Sequence, residues 1–377
     1  MQKKRKDKQK ILFLITELTG GGAEKSLIEL LRNFDYAQFE VSLCVICPGG
    51  AYWNEIPKEV HVHVLFSMKG SIYRKAFRYY RKYQNTWLFS ILLRSKLEKY
   101  YDVIVSFLEG QPLFLHTMIL SRGGKNITWI HCDLYEFHYT VPSAFLDNAK
   151  EKKAYEKMDE IIFVSQNAMN SFESLYQIET PKRYIYNLID NEKIIRLGGI
   201  PQAKKDKIII STVGRLTEVK GYDKLIRVAK KFKDTGYSLL FQIVGDGEDR
   251  EKLKTMSEDL GLQEYVSFLG FQSNPYPYIA NSDIFVSSSL SEGMSRVICE
   301  AFVLAIPVVA TKTAGALELL DNGNFGILVD FEEEAIFEGL KKMVDNKEVR
   351  EFYSQRSLER AHLFDTEQVM QSIYNLL

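Results

Sequence analysis

The chain has four cysteines among 377 residues, too few for a disulfide framework. Nowhere do about 18 apolar residues follow one another, so the sequence predicts no membrane-spanning helix. The apolar run after the basic N-terminus, residues 11–15, is also too short for the core of a signal peptide. These absences argue against disulfide-rich secreted proteins and integral membrane proteins, and we expect a cytoplasmic protein.

The Gly-x-Gly-x-x-Gly motif is absent, and a Cys-x-x-Cys spacing is present but does not indicate a metal site. Residues 20–25 read Gly-Gly-Gly-Ala-Glu-Lys and lack the third glycine of Gly-x-Gly-x-x-Gly, which argues against a nicotinamide dehydrogenase. Cys44 and Cys47 form a Cys-x-x-Cys spacing inside an apolar segment that is typical of a buried strand. Residues three apart on a strand point to opposite faces, so we expect no shared metal ion there.

The formal net charge is zero, but the charge is unevenly distributed. Counting along the sequence, residues 1–100 have 18 Lys and Arg against 9 Asp and Glu, and residues 201–377 have 21 against 27. A basic end favours an anionic partner. No nucleic-acid-binding module is recognisable, and no nucleic-acid partner is expected.

Residues 69–101 mix cations with Tyr, Phe and Trp. This composition suits an amphipathic helix at the surface of an anionic membrane, which predicts peripheral contact with the inner face of the cell membrane. A helix pair with a solvated basic face is the alternative interpretation.

Short apolar segments alternate with helical patterns, which predicts doubly wound α/β domains with parallel sheets. Strands are predicted over 11–15, 41–46, 60–65, 103–107, 126–130 and 160–164, and in a second series over 207–213, 239–244, 266–269, 284–287 and 307–310. Helices are predicted over 23–31, 222–232 and 297–304. We expect two Rossmann-like domains with a cleft between them, and ligands at the carboxyl ends of the strands.

The predicted domains are separated by composition. Residues 1–10 are a charge run that we expect to be disordered. Residues 11–190 form the first domain and residues 207–360 the second. Between them, residues 191–206 include Gly198, Gly199 and Pro201 and are predicted to be a linker.

A loop with two cations follows the first strand of the second series and reads Gly214-Arg-Leu-Thr-Glu-Val-Lys-Gly221. Arg215 and Lys220 would stand at the carboxyl end of a strand, beside a helix N-terminus. Cations and the helix dipole both favour anions, so the pattern indicates a pyrophosphate site. A solvated basic loop is the alternative.

A second candidate for ligand binding is the segment Glu292–Glu300, where a helix is predicted to begin near Ser295 or Arg296. Gly293 lets the turn pass close to a ligand. The amides of Met294 to Val297 lack partners inside the helix and can hold phosphate oxygens.

A carboxylate lies at each end of this segment. Glu292 lies in the turn, and Glu300 lies about one and a half turns into the helix. One can accept hydrogen bonds from sugar hydroxyls and the other from a ribose diol. A surface position is the alternative for Glu300, but its neighbours are apolar, and an acid there would be costly without partners.

With these motifs the chain resembles the retaining glycosyltransferases of family 4, which have the GT-B fold. The spacing of Glu292 and Glu300, with Gly293 after the first acid, is similar to the donor-binding signature of that family. Further similar segments follow in the same order and are Gly20–Glu24, Trp129–Asp133, Val164–Ser165, Asn187–Asp190, Val213–Leu216, Lys220–Gly221, Val244–Gly247 and Leu269–Phe271. The resemblance spans about residues 11–330.

The resemblance implies roles for the main candidates. Arg215 and Lys220 would neutralise the leaving diphosphate. Glu292 would orient the transferred sugar, and Glu300 would hold the ribose. His131 would reach over the sugar from the first domain, although a histidine at a strand end often has only a structural role.

The resemblance also implies that Gly21 and Gly22 form a turn facing the donor phosphate and the acceptor. Glu109, another strand-end carboxylate, is a secondary candidate for acceptor or sugar contact. Residues 361–377 are expected to form a C-terminal helix that packs back on the first domain. The remaining residues expected to bind the donor are Gly214, Gly245, Phe271, Gly293, Met294, Ser295, Arg296 and Val297.

One departure concerns the sugar. Residues 292–296 read Glu-Gly-Met-Ser-Arg where the family often has Glu-Gly-Phe-Pro-Asn. Backbone contacts to phosphate survive such a change, whereas side-chain contacts to the sugar do not. The identity of the donor sugar is therefore left open by the sequence.

The implied reaction moves a hexose-type sugar, with retention, from a nucleoside-diphosphate donor that we expect to be UDP-linked. The expected acceptor is lipid-linked or a glycan, in bacterial cell-surface polysaccharide synthesis. Many glycosyltransferases stabilise the leaving diphosphate with a metal ion held by Asp-x-Asp. That motif is absent, so we predict metal independence and no cofactor, with cations and a helix N-terminus in its place.

The sequence also bears on three other functions of the same fold. A non-catalytic partner or chaperone subunit would have a decayed site, whereas Arg215, Lys220, Glu292 and Glu300 are all present. A phosphorylase needs a pyridoxal lysine in a recognisable setting, which is not found. A sugar-nucleotide epimerase remains an alternative.

Overall fold

The computed structural model describes residues 8–66, 71–136, 138–199, 207–364 and 366–377. The chain forms two compact units, Met1–Leu188 with Val369–Leu377, and Ile189–Gln368. Parts of two predicted segments, residues 1–7 of the tail and 200–206 of the linker, lie outside the described residues, as do 67–70 in the basic segment.

The first unit contains a parallel sheet of seven strands within the described residues, in the order β3-β2-β1-β4-β5-β6-β7. The strands are Gln9–Ile15 (β1), Phe39–Val45 (β2), His61–Val64 (β3), Tyr101–Ser106 (β4), Gly123–Ile130 (β5), Glu160–Phe163 (β6) and Lys182–Tyr184 (β7). The helices are Gly22–Arg32 (α1), Ser71–Tyr83 (α2), Trp87–Lys96 (α3), Gln111–His116 (α4), Thr140–Ser143 (α5), Asn148–Tyr155 (α6) and Gln166–Leu175 (α7).

The order of these strands creates a switch point. The chain runs outward from β1 through β2 to β3, then returns to the other side of β1 with β4. The loops that follow β1 and β4 therefore leave the same edge of the sheet from adjacent strands. In open α/β sheets, ligands bind at such a point.

The second unit has a parallel sheet of six strands in the part of the chain that is described, in the order β10-β9-β8-β11-β12-β13. The strands are Ile208–Val213 (β8), Leu239–Val244 (β9), Val266–Gly270 (β10), Ile284–Ser287 (β11), Val308–Thr311 (β12) and Ile327–Val329 (β13). The helices are Asn191–Gly198 (α8), Tyr222–Asp234 (α9), Arg250–Asp259 (α10), Tyr276–Ala280 (α11), Arg296–Val303 (α12), Ala314–Leu319 (α13), Glu333–Asp345 (α14) and Lys347–Ala361 (α15). Here the switch point lies between β8 and β11.

Both sheets form because their strands are short apolar runs that helices cover. Residues 11–15 of β1 are almost completely buried, and so is the whole of β11. Such continuous burial is expected for strands with helices on both faces of a parallel sheet. The predicted fold class, two doubly wound α/β domains, is confirmed.

The final helix, Thr366–Tyr374 (α16), enters the first unit from residue 369 onward. The ring of Tyr374 stacks on Phe39, with centroids 5.3 Å apart and planes at 7°. Its hydroxyl accepts a hydrogen bond from the amide of Asp35 and donates one to the carbonyl of Asn33. These contacts attach the end of the chain to α1 and β2.

Three sequence-based expectations need correction. The expected disordered tail, 1–10, overlaps β1, which already begins at Gln9. The expected linker, 191–206, begins with α8, whose first turn is capped by the Asp190 carboxylate. Cys44 and Cys47 both belong to one buried cluster, but β2 ends at Val45, so strand alternation does not extend to Cys47.

The basic segment splits into buried and exposed parts. On α2, Tyr73, Phe77 and Tyr80 are buried in the core of the first unit, so part of its aromatic content has a structural explanation. Within the described residues, no helix combines the length and the apolar composition that crossing a bilayer requires.

Candidate functional site

The loop between β8 and α9 makes a tight turn that packs against the loop after β11. A short 3₁₀ turn, Glu218–Lys220, leads to Gly221 in the left-handed region at φ 64°. A Cβ on Gly221 would lie 2.3 Å from the carbonyl oxygen of Ser288, so only glycine fits. The Ser288 hydroxyl donates to the Lys220 carbonyl at 2.8 Å. The loops after β8 and β11 are thus in direct contact.

This contact brings together the two motifs that the sequence identified separately. The ammonium of Lys220 forms an ion pair with the carboxylate of Glu292. Glu292 also accepts a hydrogen bond from the Ser289 hydroxyl at 3.1 Å. Both charged side chains are only partly exposed, at 26% and 16%, so their attraction is screened less than on the surface.

Two glycines allow the loops after β8 and β9 to approach each other closely. Gly245, at φ 141°, follows β9, and a Cβ there would lie 1.9 Å from the carbonyl oxygen of Gly214. The amide of Gly214 donates to Val244, and that of Gly245 donates to Gly270. Gly214 and Gly245, both predicted site residues, therefore serve the packing of the turns.

Behind the loop, Tyr222 is buried, and a Cβ on Gly214 would lie 2.8 Å from its hydroxyl. Burial raises the pKa of Tyr222, and the nearby Glu292 charge acts in the same direction. The tyrosine hydroxyl is therefore protonated at neutral pH.

The turn after β11 leads into α12 as predicted, with Ser295 as the residue before the first helical position. Met294, Ser295 and Arg296 are all buried. The amide of Gly315 donates to the carbonyl of Glu292 at 3.0 Å, which anchors the start of the turn. The amides of residues 294–297 lie at the N-terminal end of a helix, where anions are favoured.

Glu300 is not a surface residue; it is 1% exposed. Nη2 of Arg296, one turn earlier and also buried, lies 4.0 Å from its Oε1. A cation at this distance offsets part of the cost of burying the carboxylate. The departure from the family pattern at residue 296 therefore places a positive charge beside the predicted ribose ligand.

Two other predicted donor residues are exposed. Arg215 lies on the surface directly after β8 and Gly214. Phe271 follows β10 and is 52% exposed, which is unusual for so large an apolar side chain. Val297, the second residue of α12, is partly buried and lines a small pocket with Lys220 and Glu292.

In the first unit, His131 directly follows β5 and is held by residues of β5 and of the loop after β4. Its ring lies 4.7 Å from the Phe107 ring, measured between centroids, and 6.2 Å from the Trp129 ring. Its backbone amide donates to the Glu109 carboxylate at 2.9 Å. Glu109, expected to contact acceptor or sugar, is instead buried with its oxygens engaged by protein donors.

The glycine turn after β1 also differs from expectation. The amides of Gly20 and Gly21 donate to the carboxylate of Glu24, at 2.6 and 2.9 Å. This is one half of a capping box, in which the carboxylate of the third helical residue accepts the N-cap amide, because glycine has no side chain to accept a bond in return. The amide of Gly21 is therefore directed to a carboxylate rather than to a donor phosphate, and Gly22 is the first residue of α1.

Some residues of these sites were missed by the sequence analysis. The Ser288 hydroxyl joins the two loops, the Ser289 hydroxyl donates to Glu292 within the loop after β11, and Tyr139 donates to Glu109. A run of serines after a strand is the one available signal for the first two. Among the described residues there is no group of three or more His, Cys, Asp or Glu side chains suited to a metal ion.

Comparison with known proteins identifies the class to which this architecture belongs. The profile described as Glycosyltransferase Family 4 matches residues 20–193, and that described as Glycosyl transferases group 1 matches residues 198–360. The structure of Anabaena HepE in complex with UDP and glucose superimposes with a TM-score of 0.77 at 21% identity, over 98% of this chain and 99% of that one. The two units are the two domains of the GT-B fold.

Two relatives narrow the assignment. The chain is 30% identical, over 95% of its length and 96% of the relative's, to the Campylobacter jejuni N-acetylgalactosamine-N,N'-diacetylbacillosaminyl-diphospho-undecaprenol 4-alpha-N-acetylgalactosaminyltransferase. It is also 30% identical over 158 residues to the lipopolysaccharide core biosynthesis glycosyltransferase LpsE of Rhizobium meliloti. This aligned region covers 42% of this chain and 44% of that protein. The chain belongs to glycosyltransferase family 4, together with enzymes of bacterial cell-surface polysaccharide synthesis.

Proposed function

We propose that this glycosyltransferase transfers a hexose-type sugar from a UDP-linked donor to a lipid-linked or glycan acceptor, with retention of configuration and without a metal ion. The observation that carries the proposal is the ion pair between Lys220 and Glu292. It joins a cation and a carboxylate at the switch point between β8 and β11, where ligands of such sheets bind.

The donor diphosphate suits the charges of this site. A Lys ammonium has three N–H donors, and the contact with Glu292 uses one of them. We assign the other N–H groups of Lys220, together with the guanidinium of the surface residue Arg215, to the phosphate oxygens. Together with the amides at the start of α12, these donors would stabilise the charge that grows on the leaving diphosphate.

We assign to Glu292 the role of orienting the sugar, and not that of a nucleophile that attacks it. Its carboxylate is held by Lys220 and by the Ser289 hydroxyl, which suits a group that orients sugar hydroxyls. In the first unit, His131 is proposed to contact the reacting sugar. Retention would then follow from attack on the face of the departing diphosphate, as the family resemblance implies.

The proposed metal independence rests on the same charges. Arg215 and Lys220 would supply the positive charge that a metal ion supplies in other transferases. We expect activity to persist in EDTA. Loss of activity in EDTA, with recovery on adding Mg²⁺ or Mn²⁺, would contradict this part of the proposal.

The lipid-linked acceptor has support from α2 and α3. The Campylobacter relative acts, by its name, on a diphospho-undecaprenol-linked substrate. Here Tyr79 and Tyr83 are exposed beside each other on α2, and Trp87, the first residue of α3, is 63% exposed. The exposed cations of α2 are Arg74, Lys75, Arg78, Arg81 and Lys82. Aromatic side chains beside cations are favoured at the surface of an anionic bilayer.

Vesicle flotation tests the membrane contact. The protein should float with vesicles rich in anionic lipid at low salt, and Trp87 fluorescence should shift to shorter wavelength. Reversing Lys75, Arg78 and Lys82 to Glu should abolish flotation, since each cation near such a surface contributes about 1 kcal/mol. Neutral vesicles are the control, and equal flotation of wild type and variant would exclude this surface.

A donor panel tests the reaction itself. The protein is incubated with UDP-, GDP-, ADP- and TDP-linked hexoses, with and without polyprenyl-diphosphate glycans. Release of nucleoside diphosphate that depends on the acceptor supports transfer, and NMR of the product's anomeric proton reports retention or inversion. An epimerised sugar without a new glycosidic bond would instead identify an epimerase, and inversion would refute the retaining mechanism.

A further inference from the structure

The carboxylate of Glu109 has no part in the transfer mechanism proposed above, yet it contacts the segment that contains His131. Glu109 lies between β4 and α4 and is 3% exposed. Its Oε2 accepts the backbone N–H of His131 at 2.9 Å, and its Oε1 accepts the Tyr139 hydroxyl.

The direction of these hydrogen bonds is fixed. Burial raises the pKa of Tyr139 and that of Cys132 well above their ordinary values, and the Glu109 charge raises both further. At neutral pH both groups are therefore protonated, and the Tyr139 hydroxyl donates to Glu109 as the His131 amide does. An ionised carboxylate accepts through two oxygens, whereas a glutamine side chain accepts through one. A buried donor left without an acceptor is costly.

The same loop also holds the imidazole ring. Phe107, two residues before Glu109, contacts the His131 ring at a centroid distance of 4.7 Å. Trp129, on β5, lies on a nearly parallel plane at 6.2 Å. The backbone of His131 is thus fixed by Glu109 and its ring by Phe107, both from the loop after β4.

We propose that Glu109 is a positioning residue that holds His131 in the orientation required for sugar transfer. This inference rests on the role proposed for His131. A displacement of about 1 Å in a reacting group can cost about 100-fold in rate. We expect Glu109→Gln to lower kcat by about 10- to 100-fold. The KM for the donor should change by less than about threefold, since the proposed diphosphate ligands belong to the second unit.

A second buried carboxylate in the same unit provides a matched control. Glu151 has a fully buried side chain and accepts a hydrogen bond from the Tyr176 hydroxyl at 2.9 Å. Its Oε2 also lies 2.6 Å from Nε2 of His138. Glu151→Gln changes the same chemical group at comparable burial but leaves the Glu109–His131 contact intact.

A double-mutant cycle tests whether Glu109 acts through His131. If it does, adding Glu109→Gln to His131→Ala should lower kcat by less than about twofold further, because the orientation is already irrelevant. Any effect of Glu151→Gln should instead multiply with that of His131→Ala. A multiplicative effect of Glu109→Gln, with a clear loss in His131→Ala alone, would overturn this inference and leave the proposed function standing. A wild-type kcat in His131→Ala would overturn both.

Histidine NMR gives a readout that does not depend on activity. The imidazole signals of His131 and His138 are assigned by single substitution. Glu109→Gln should shift or broaden the His131 signal and leave His138 unchanged, whereas Glu151→Gln should do the reverse. An unchanged His131 signal in Glu109→Gln would overturn the proposal. If this variant does not fold, Glu109→Asp, which keeps the charge but shortens the side chain, takes its place in both experiments with an intermediate effect expected.

Discussion

Replacing His116 by glutamine should remove much of the acid sensitivity of the first unit. His116, at the end of α4, is completely buried. Its Nδ1 lies 3.2 Å from the Ser106 hydroxyl, and its Nε2 lies 3.0 Å from the amide oxygen of Asn126. Burial lowers the pKa of His116 from 6.5 to about 4, although the hydrogen bond to Asn126 acts in the opposite direction.

The magnitude follows from proton linkage. Between about pH 6.5 and pH 4 the unfolded state binds a proton at His116 that the folded state does not bind. The contribution of the neutral His116 imidazole to the free energy of unfolding is therefore complete above about pH 6.5, and it is lost as the pH falls toward 4. One pKa unit corresponds to about 1.4 kcal/mol, so the full loss is about 3 kcal/mol, of which about 2 kcal/mol occurs between pH 7 and pH 5.

Urea unfolding followed by tryptophan fluorescence measures this loss in the first unit. Its three tryptophans, Trp53, Trp87 and Trp129, account for all the tryptophan in the chain. The free energy of unfolding is compared at pH 7 and pH 5 in wild type and in His116→Gln. Other titrating groups are common to both proteins, so the difference isolates His116. Equal losses in the two proteins would refute the reasoning.

Three further substitutions test the second unit. Lys220→Met should lower kcat by about 100- to 1,000-fold, measured by nucleotide release, because a donor to the developing diphosphate charge is lost. Glu292→Gln should weaken transfer while UDP binding, measured by calorimetry, changes less, since its proposed ligand is the sugar; equal loss of UDP affinity would contradict that role. Gly245→Ala should destabilise the second unit by more than about 2 kcal/mol, because its Cβ would clash with Gly214. In Gly236→Ala, where φ is also positive but the space is open, calorimetric unfolding should show a smaller loss.

Local patterns in the sequence were sufficient for much of the fold. The apolar runs of β1, β8 and β11 and the glycine turns after them identified strand, turn and helix correctly, since burial between helix layers requires such runs. The two shortest strands of the described chain, β7 and β13, were missed. Each has three residues, which is too few for periodicity to be visible.

The sequence by itself also determined which residues are candidates for the donor site. Glu292 and Glu300 are recognised by their spacing around the start of one helix, and Arg215 and Lys220 by their position after a strand. These are local relations, so a linear pattern contains them.

Only the tertiary structure decided which partners these residues have. Lys220 meets Glu292 because β8 and β11 are adjacent in the sheet, although 72 positions separate the two residues. In the same way, Glu109 was expected to be an accessible strand-end acid. Because β4 and β5 are adjacent, it is instead a buried acceptor of the His131 amide. Strand order arises from packing the whole chain, and local periodicity does not encode it.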